Sequence, residues 1–68
     1  MKMPRTIEEL AEMIAKRDDI DYEDALELVR DTAAEMEYAF YNGKLFEAED
    51  ILASNLGLEP DYLDLFIF

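Results

Sequence analysis

Apolar residues recur along this chain at intervals of three and four, the period of helices buried on one face. Thr6-Ile7-Glu8-Glu9 has the form of a capping box: a hydroxyl to accept from the Glu9 amide and a carboxylate to reach back. Ile7, Leu10, Ala11 and Ile14 follow at helical spacing, and Lys16 and Arg17 sit where cations suit a helix C-terminus. A first helix, α1, is therefore predicted from Ile7 to about Arg17. Asp21 reads as the next N-cap, with Asp24 three residues on and Ile20 and Ala25 placed as a hydrophobic staple. A second helix, α2, is predicted from Tyr22 to about Tyr41. Its apolar face holds Ala25, Leu28, Val29, Thr32, Met36, Ala39 and Phe40, widened by Tyr22, Leu26, Ala33 and Tyr41. So broad a stripe implies more than one helical neighbour.

Asn42-Gly43 stops α2, because glycine adopts the left-handed conformation after a helix at little cost. A third helix, α3, is predicted from about Leu45 to Leu56. Leu45, Ala48, Ile51, Leu52 and Leu56 point inward, and Glu47, Glu49 and Asp50 outward. Gly57 is a second C-cap, with Leu58 as its hydrophobic contact, and Pro60 suits the first turn of a final short helix to about Ile67. The tail from Leu63 to Phe68 also reads as an extended arm. Short connections make neighbouring helices antiparallel. The expected fold is all-α, a small antiparallel helical bundle of three main helices plus a short C-terminal one, in a single domain spanning residues 1–68.

Composition narrows what such a bundle does. A chain of this size buries only ~60% of its unfolded surface, and its core rarely supplies more than ~3–5 kcal/mol. Disulfides and ordinary zinc sites are excluded as staples, since the 68 residues include no Cys and no His. The same absences remove the usual general base and thiol nucleophile. Thr6, Thr32 and Ser54 are the only aliphatic hydroxyls. An enzyme is not expected, nor a cofactor or metal. Asp19-Ile20-Asp21-Tyr22-Glu23 imitates the start of an EF-hand loop, but Asp24 stands where glycine is required and Arg30 where a bidentate glutamate is required. Its acids are better placed as the first turn of α2.

Eighteen acidic residues against six basic ones give a net charge of −12. Direct binding to nucleic acid and to anionic membranes is therefore disfavoured. No apolar run approaches the ~20 residues of a membrane span, and Met1-Lys2-Met3-Pro4-Arg5 lacks the apolar stretch of a signal peptide. A cytoplasmic location is expected. Residues 1–30 hold nine acids and five bases, a net of −4; residues 31–68 hold nine acids and one base, a net of −8. Asp24, Glu27, Asp31 and Glu35, spaced by three, four and four, fall on one side of α2. Like charges at that spacing destabilise a helix. Glu47, Glu49 and Asp50 form a second acidic group. Regularly spaced carboxylates suit docking on a basic protein surface, including one that binds a nucleic-acid backbone. The competing reading is a solubilising surface.

Leu63, Leu65, Phe66, Ile67 and Phe68 make an apolar terminus where chains are ordinarily polar. They either close the core internally or cover a second copy, with Leu63, Phe66, Ile67 and Phe68 as the homodimer interface. Tyr38, Tyr41 and Phe46, around the Asn42-Gly43 turn, are placed to extend either surface.

Two local stretches resemble known families. Ile7 to Gly43, with Ile7–Arg17, the capped turn Ile20–Ala25 and Leu26–Gly43, resembles the N-terminal helical hairpin of the HU family of DNA-binding proteins. That resemblance implies dimerisation through α2; the family's β-arms and basic residues are absent, so its DNA binding does not transfer. Gly43 to Pro60, through Gly43, Ala48 and Pro60, is similar to the second half of a tetratricopeptide repeat, although one unit alone cannot bury its face. The whole chain, with its small size, acidity and Leu56-Gly57-Leu58-Glu59-Pro60-Asp61-Tyr62-Leu63 ending, looks like the small acidic helical proteins of phages and mobile elements. That group includes inhibitors of host nucleases, several of them nucleic-acid mimics. The function expected is thus a non-enzymatic acidic interaction protein. A homodimeric assembly module is the alternative.

Overall fold

The computed structural model describes residues 3–66. Three α-helices, α1 (Ile7–Asp18), α2 (Tyr22–Tyr41) and α3 (Leu45–Leu56), are followed by a 3₁₀ helix, Pro60–Leu65. Each connection is three residues long: 19–21, 42–44 and 57–59. Such short links force each helix back along its predecessor. α2, the longest, packs against both α1 and α3, and the 3₁₀ helix packs on α3.

The helix starts follow local chemistry only in part. The Thr6 hydroxyl accepts from the Glu9 amide at 3.1 Å. Glu9 does not close the box onto Thr6; its carboxylate accepts from the Arg5 amide at 3.2 Å, one residue earlier. Asp21 occupies the N-cap of α2 without a side-chain capping bond, so its contribution there is its charge at the positive end of the helix dipole. The staple is likewise half made: Ala25 is fully buried, whereas Ile20 stays 38% exposed.

The helix ends are tighter than the pattern implies. α1 runs one residue past Arg17 and stops on Asp19, whose φ of 55° is the positive value among non-glycine residues. The Ile20 amide then donates to the Ala15 carbonyl at 3.0 Å. That bond belongs to a Schellman turn, whose left-handed position is usually glycine. Gly43 (φ 69°) plays the same part after α2, with Lys44 N–H donating to Ala39 C=O at 2.8 Å, and Gly57 (φ 64°) after α3.

The core takes Leu10, Ala11 and Ile14 from α1, Ala25, Val29, Met36 and Ala39 from α2, and Ala48, Leu52 and Leu56 from α3. Small residues at 25, 39 and 48 let the helix backbones approach closely. Among the described residues the single buried polar side chain, Thr32, donates to the Leu28 carbonyl at 2.9 Å and accepts from Asn55 of α3 at 3.4 Å, which satisfies its hydroxyl.

The C-terminal segment completes this core. Leu58, Leu63 and Phe66 are 7%, 8% and 2% exposed. The segment expected as an α-helix to about Ile67 is a 3₁₀ helix ending at Leu65. With three residues per turn, positions i and i+3 eclipse, so Leu63 and Phe66 present one edge to the core. Tyr62 lies over α1, its hydroxyl 4.0 Å from the Met13 sulfur. Leu63 and Phe66 therefore serve the chain's own core, and Ile67 and Phe68 lie outside the described residues.

Three other side chains depart from the expected burial. Leu45 has the inward phase of α3 but is 51% exposed, because it is the first residue of that helix, at the turn end of the α2–α3 hairpin. Tyr22 and Tyr41, in the first and last turns of α2, are exposed rather than widening the apolar face.

If the tail is the internal staple, Phe66→Ala removes about 3–5 kcal/mol, comparable with the whole stability of a domain this size. Circular dichroism should show Phe66→Ala largely unfolded at 25 °C. Phe46→Ala, at an exposed position, should stay within about 0.5 kcal/mol of wild type in urea titrations.

Candidate interaction face on helix α2

Asp24, Glu27, Asp31 and Glu35 are all exposed. At 1.5 Å rise per residue they span about 16 Å of helix axis, centred roughly 110° round α2 from its buried face. That offset puts the row on the α3 side of the hairpin, where Asn55 donates to the Glu35 carboxylate at 2.5 Å. Among the described residues the ion pairs are Arg17–Asp18 at 2.9 Å and Lys44–Glu47 at 3.8 Å. No member of the row is in either. Arg30, the one base inside this stretch, lines a shallow groove of about 410 Å³ with Glu23, Leu26, Glu27 and Asp31 but pairs with none of them within 4 Å.

The second acidic group does not form one face. Glu47 and Asp50 are three residues apart and share the outer side of α3. Glu49 lies about 200° round from Glu47 and is half-buried. Glu47 is also the partner of Lys44. Of the acids expected to act together, the structure aligns the four of α2 and disperses the three of α3. Among the described residues, no group of three or more Asp or Glu could hold a metal ion, the Asp19–Glu23 stretch included.

Positive charge is concentrated elsewhere. Lys16 and Arg17 rim a cleft of about 680 Å³ between α1 and the tail, floored by Met13, Leu58 and Tyr62. The Arg17 guanidinium hydrogen-bonds both Asp18 oxygens, at 2.9 and 3.0 Å. That bond raises the Arg17 pKa above its ordinary value and holds the Asp18 carboxyl below the usual carboxylate range.

Three aromatic side chains stand exposed at the opposite end of the bundle, around the Asn42-Gly43 turn. Tyr38 is 74% exposed, Tyr41 91% and Phe46 83%. Tyr38 follows Glu35 by three residues and so continues the carboxylate row, and Tyr41 follows Tyr38 by three. With Ala34 and Glu37 the two tyrosines line a groove of about 290 Å³. The sequence signal for this exposure was the Asn42-Gly43 stop: residues flanking a tight hairpin turn lie beyond the reach of a third helix.

Comparisons with known proteins add no assignment: no family model, curated protein or solved structure matches the chain. Among the described residues, no helix is long and apolar enough to cross a membrane.

The unpaired row carries a cost. Each like-charge pair at these spacings destabilises a helix by about 0.2–0.5 kcal/mol. Glu27→Gln combined with Asp31→Asn relieves the neighbouring repulsions without disturbing the Glu35–Asn55 bond. The double variant should unfold about 0.5–1 kcal/mol later than wild type in urea at low salt; equal or lower stability would show that the row is internally compensated.

Proposed function

We propose that this chain is a non-enzymatic interaction protein that docks the α2 carboxylate face on a basic surface of a partner protein. The observation that carries this reading is the alignment of Asp24, Glu27, Asp31 and Glu35 along one exposed stripe, outside every ion pair among the described residues. Charges satisfied within a fold are spent there; Glu35 accepts from Asn55, whereas Asp24, Glu27 and Asp31 make no side-chain bond among the described residues and are available to a partner. Their long-range field accelerates encounter with a basic surface and weakens as salt rises.

A surface that binds nucleic acid is one basic surface of this kind. The row places one charge per ~5.5 Å of helix axis, against one per ~3.4 Å along a single DNA strand. It is thus a sparse imitation of phosphates and offers Coulombic competition rather than a matched backbone. In this reading the chain acts as an inhibitor or competitor, in keeping with the small acidic proteins of phages and mobile elements that it looks like. The homodimeric alternative has lost two of its four anchors, since Leu63 and Phe66 are buried within the chain.

The test compares wild type with Glu27→Lys/Asp31→Lys as immobilised bait for proteins of the source cell. Glu35 is left in place because it holds Asn55. Wild type should retain a defined set of basic proteins that salt elutes and double-stranded DNA competes away, and the charge-reversed bait should lose them. Retention of the same proteins at the same salt by both baits would refute the mechanism.

A further inference from the structure

The fold leaves Tyr38, Tyr41 and Phe46 mostly in water, although each could bury 150–250 Å². Among the described residues, neither tyrosine hydroxyl makes a hydrogen bond within the chain. The core does not need these rings, and they sit beside carboxylates. Glu37 shares the groove with Tyr38 and Tyr41, Glu35 is one helical turn before Tyr38, and Glu47 is the residue after Phe46.

An aromatic face next to a carboxylate is the chemistry that receives a guanidinium group. The planar cation stacks on the ring and pairs with the acid at its edge. We propose that this end of the molecule is the apolar half of the docking surface, and that it takes an arginine-bearing segment of the basic partner. The guanidinium groups stack on Tyr38 and Tyr41 and pair with Glu35 and Glu37, and an apolar residue of the segment covers Ala34 and the ring edges in the same groove. The inference rests on the acidic-face reading above and deepens it by naming what the partner presents.

Two other occupants fit less well. A second copy of the chain would bring −12 against −12. The two tyrosine rings also offer only ~400 Å², short of the ~800 Å² per partner of a standard stable interface. An anionic membrane surface is repelled by the same charge.

The experiment uses the full chain and three synthetic peptides: one alternating Arg and Leu, one in which every Arg is Lys, and one in which every Leu is Ser. Affinity is measured by calorimetry over a salt series, and the binding face is mapped by amide chemical shifts. For wild type, the Arg-Leu peptide should bind several-fold more tightly than either control, with the largest shifts in residues 34–41. Tyr38→Ala/Tyr41→Ala should lose about tenfold in affinity while keeping its circular dichroism spectrum and the salt slope of wild type. Glu27→Gln/Asp31→Asn should instead flatten the salt slope.

The two readings fail separately. Equal affinity of wild type and the double tyrosine variant, or equal affinity for the Arg and Lys peptides, overturns the arginine site while a salt slope carried by Glu27 and Asp31 upholds the acidic face. A salt slope unchanged in Glu27→Gln/Asp31→Asn overturns the acidic face itself. Sedimentation should show wild type as a monomer; self-association abolished by the double tyrosine variant would assign the patch to a second copy and overturn the proposal.

Discussion

Everything in this molecule is organised by the packing of α2 against its two neighbours. One face of that helix, built from Ala25, Val29, Thr32, Met36 and Ala39, is the floor on which α1 and α3 lie. Small and medium side chains there allow close approach, and the one hydroxyl among them, Thr32, is satisfied by Leu28 and Asn55. The surface of α2 turned away from both partners stays exposed along the whole helix. That surface holds six acids and one base, and at its C-terminal end two tyrosines. The charge row and the aromatic cluster are thus consequences of geometry as much as of composition: they occupy the sides that α1 and α3 leave open.

The same packing explains the tail. Three helices joined by three-residue links leave an opening beside α3 near Leu56, and the chain has neither disulfide nor zinc ligand set to hold it. The Gly57 turn directs Leu58 inward, and the 3₁₀ geometry brings Leu63 and Phe66 to the same edge. The acidic surface and the apolar tail therefore answer different needs. The tail completes a small core, whereas the acids add repulsion, their internal partners among the described residues being the two ion pairs of Arg17 and Lys44 and the Glu9–Arg5 and Glu35–Asn55 hydrogen bonds.

Much of this was legible beforehand, for identifiable reasons. The α2 and α3 boundaries are marked by Asp21, Gly43 and Gly57, residues whose conformational preferences act locally. The carboxylate row follows from spacing alone, since any helix carries residues 24, 27, 31 and 35 on one side. What escaped depends on tertiary reach or on competition between local bonds. Asp19 reads as one more acid in a cluster, yet it takes the left-handed position of a Schellman turn. Glu9 satisfies Arg5 rather than Thr6. Leu45 has an inward phase but no element above it, and Glu49 neighbours Glu47 and Asp50 in sequence while a two-residue step turns it to another side. The division of the terminus between core and interface could not be read from hydrophobicity, because both uses demand the same residues.

In the proposed role the α2 row is a net liability to the fold and an asset to binding, so salt should act on the two in opposite directions. Thermal unfolding of the full chain, followed by circular dichroism from about 0.01 M to 0.5 M sodium chloride, tests this directly, since the screening length falls from about 30 Å to a few ångströms over that range. The melting temperature should rise by several degrees with salt, and by less in Glu27→Gln/Asp31→Asn. A melting temperature that is flat or falls, in wild type, would mean that the carboxylates are already compensated within the fold, and would contradict the claim that they are held available for a partner.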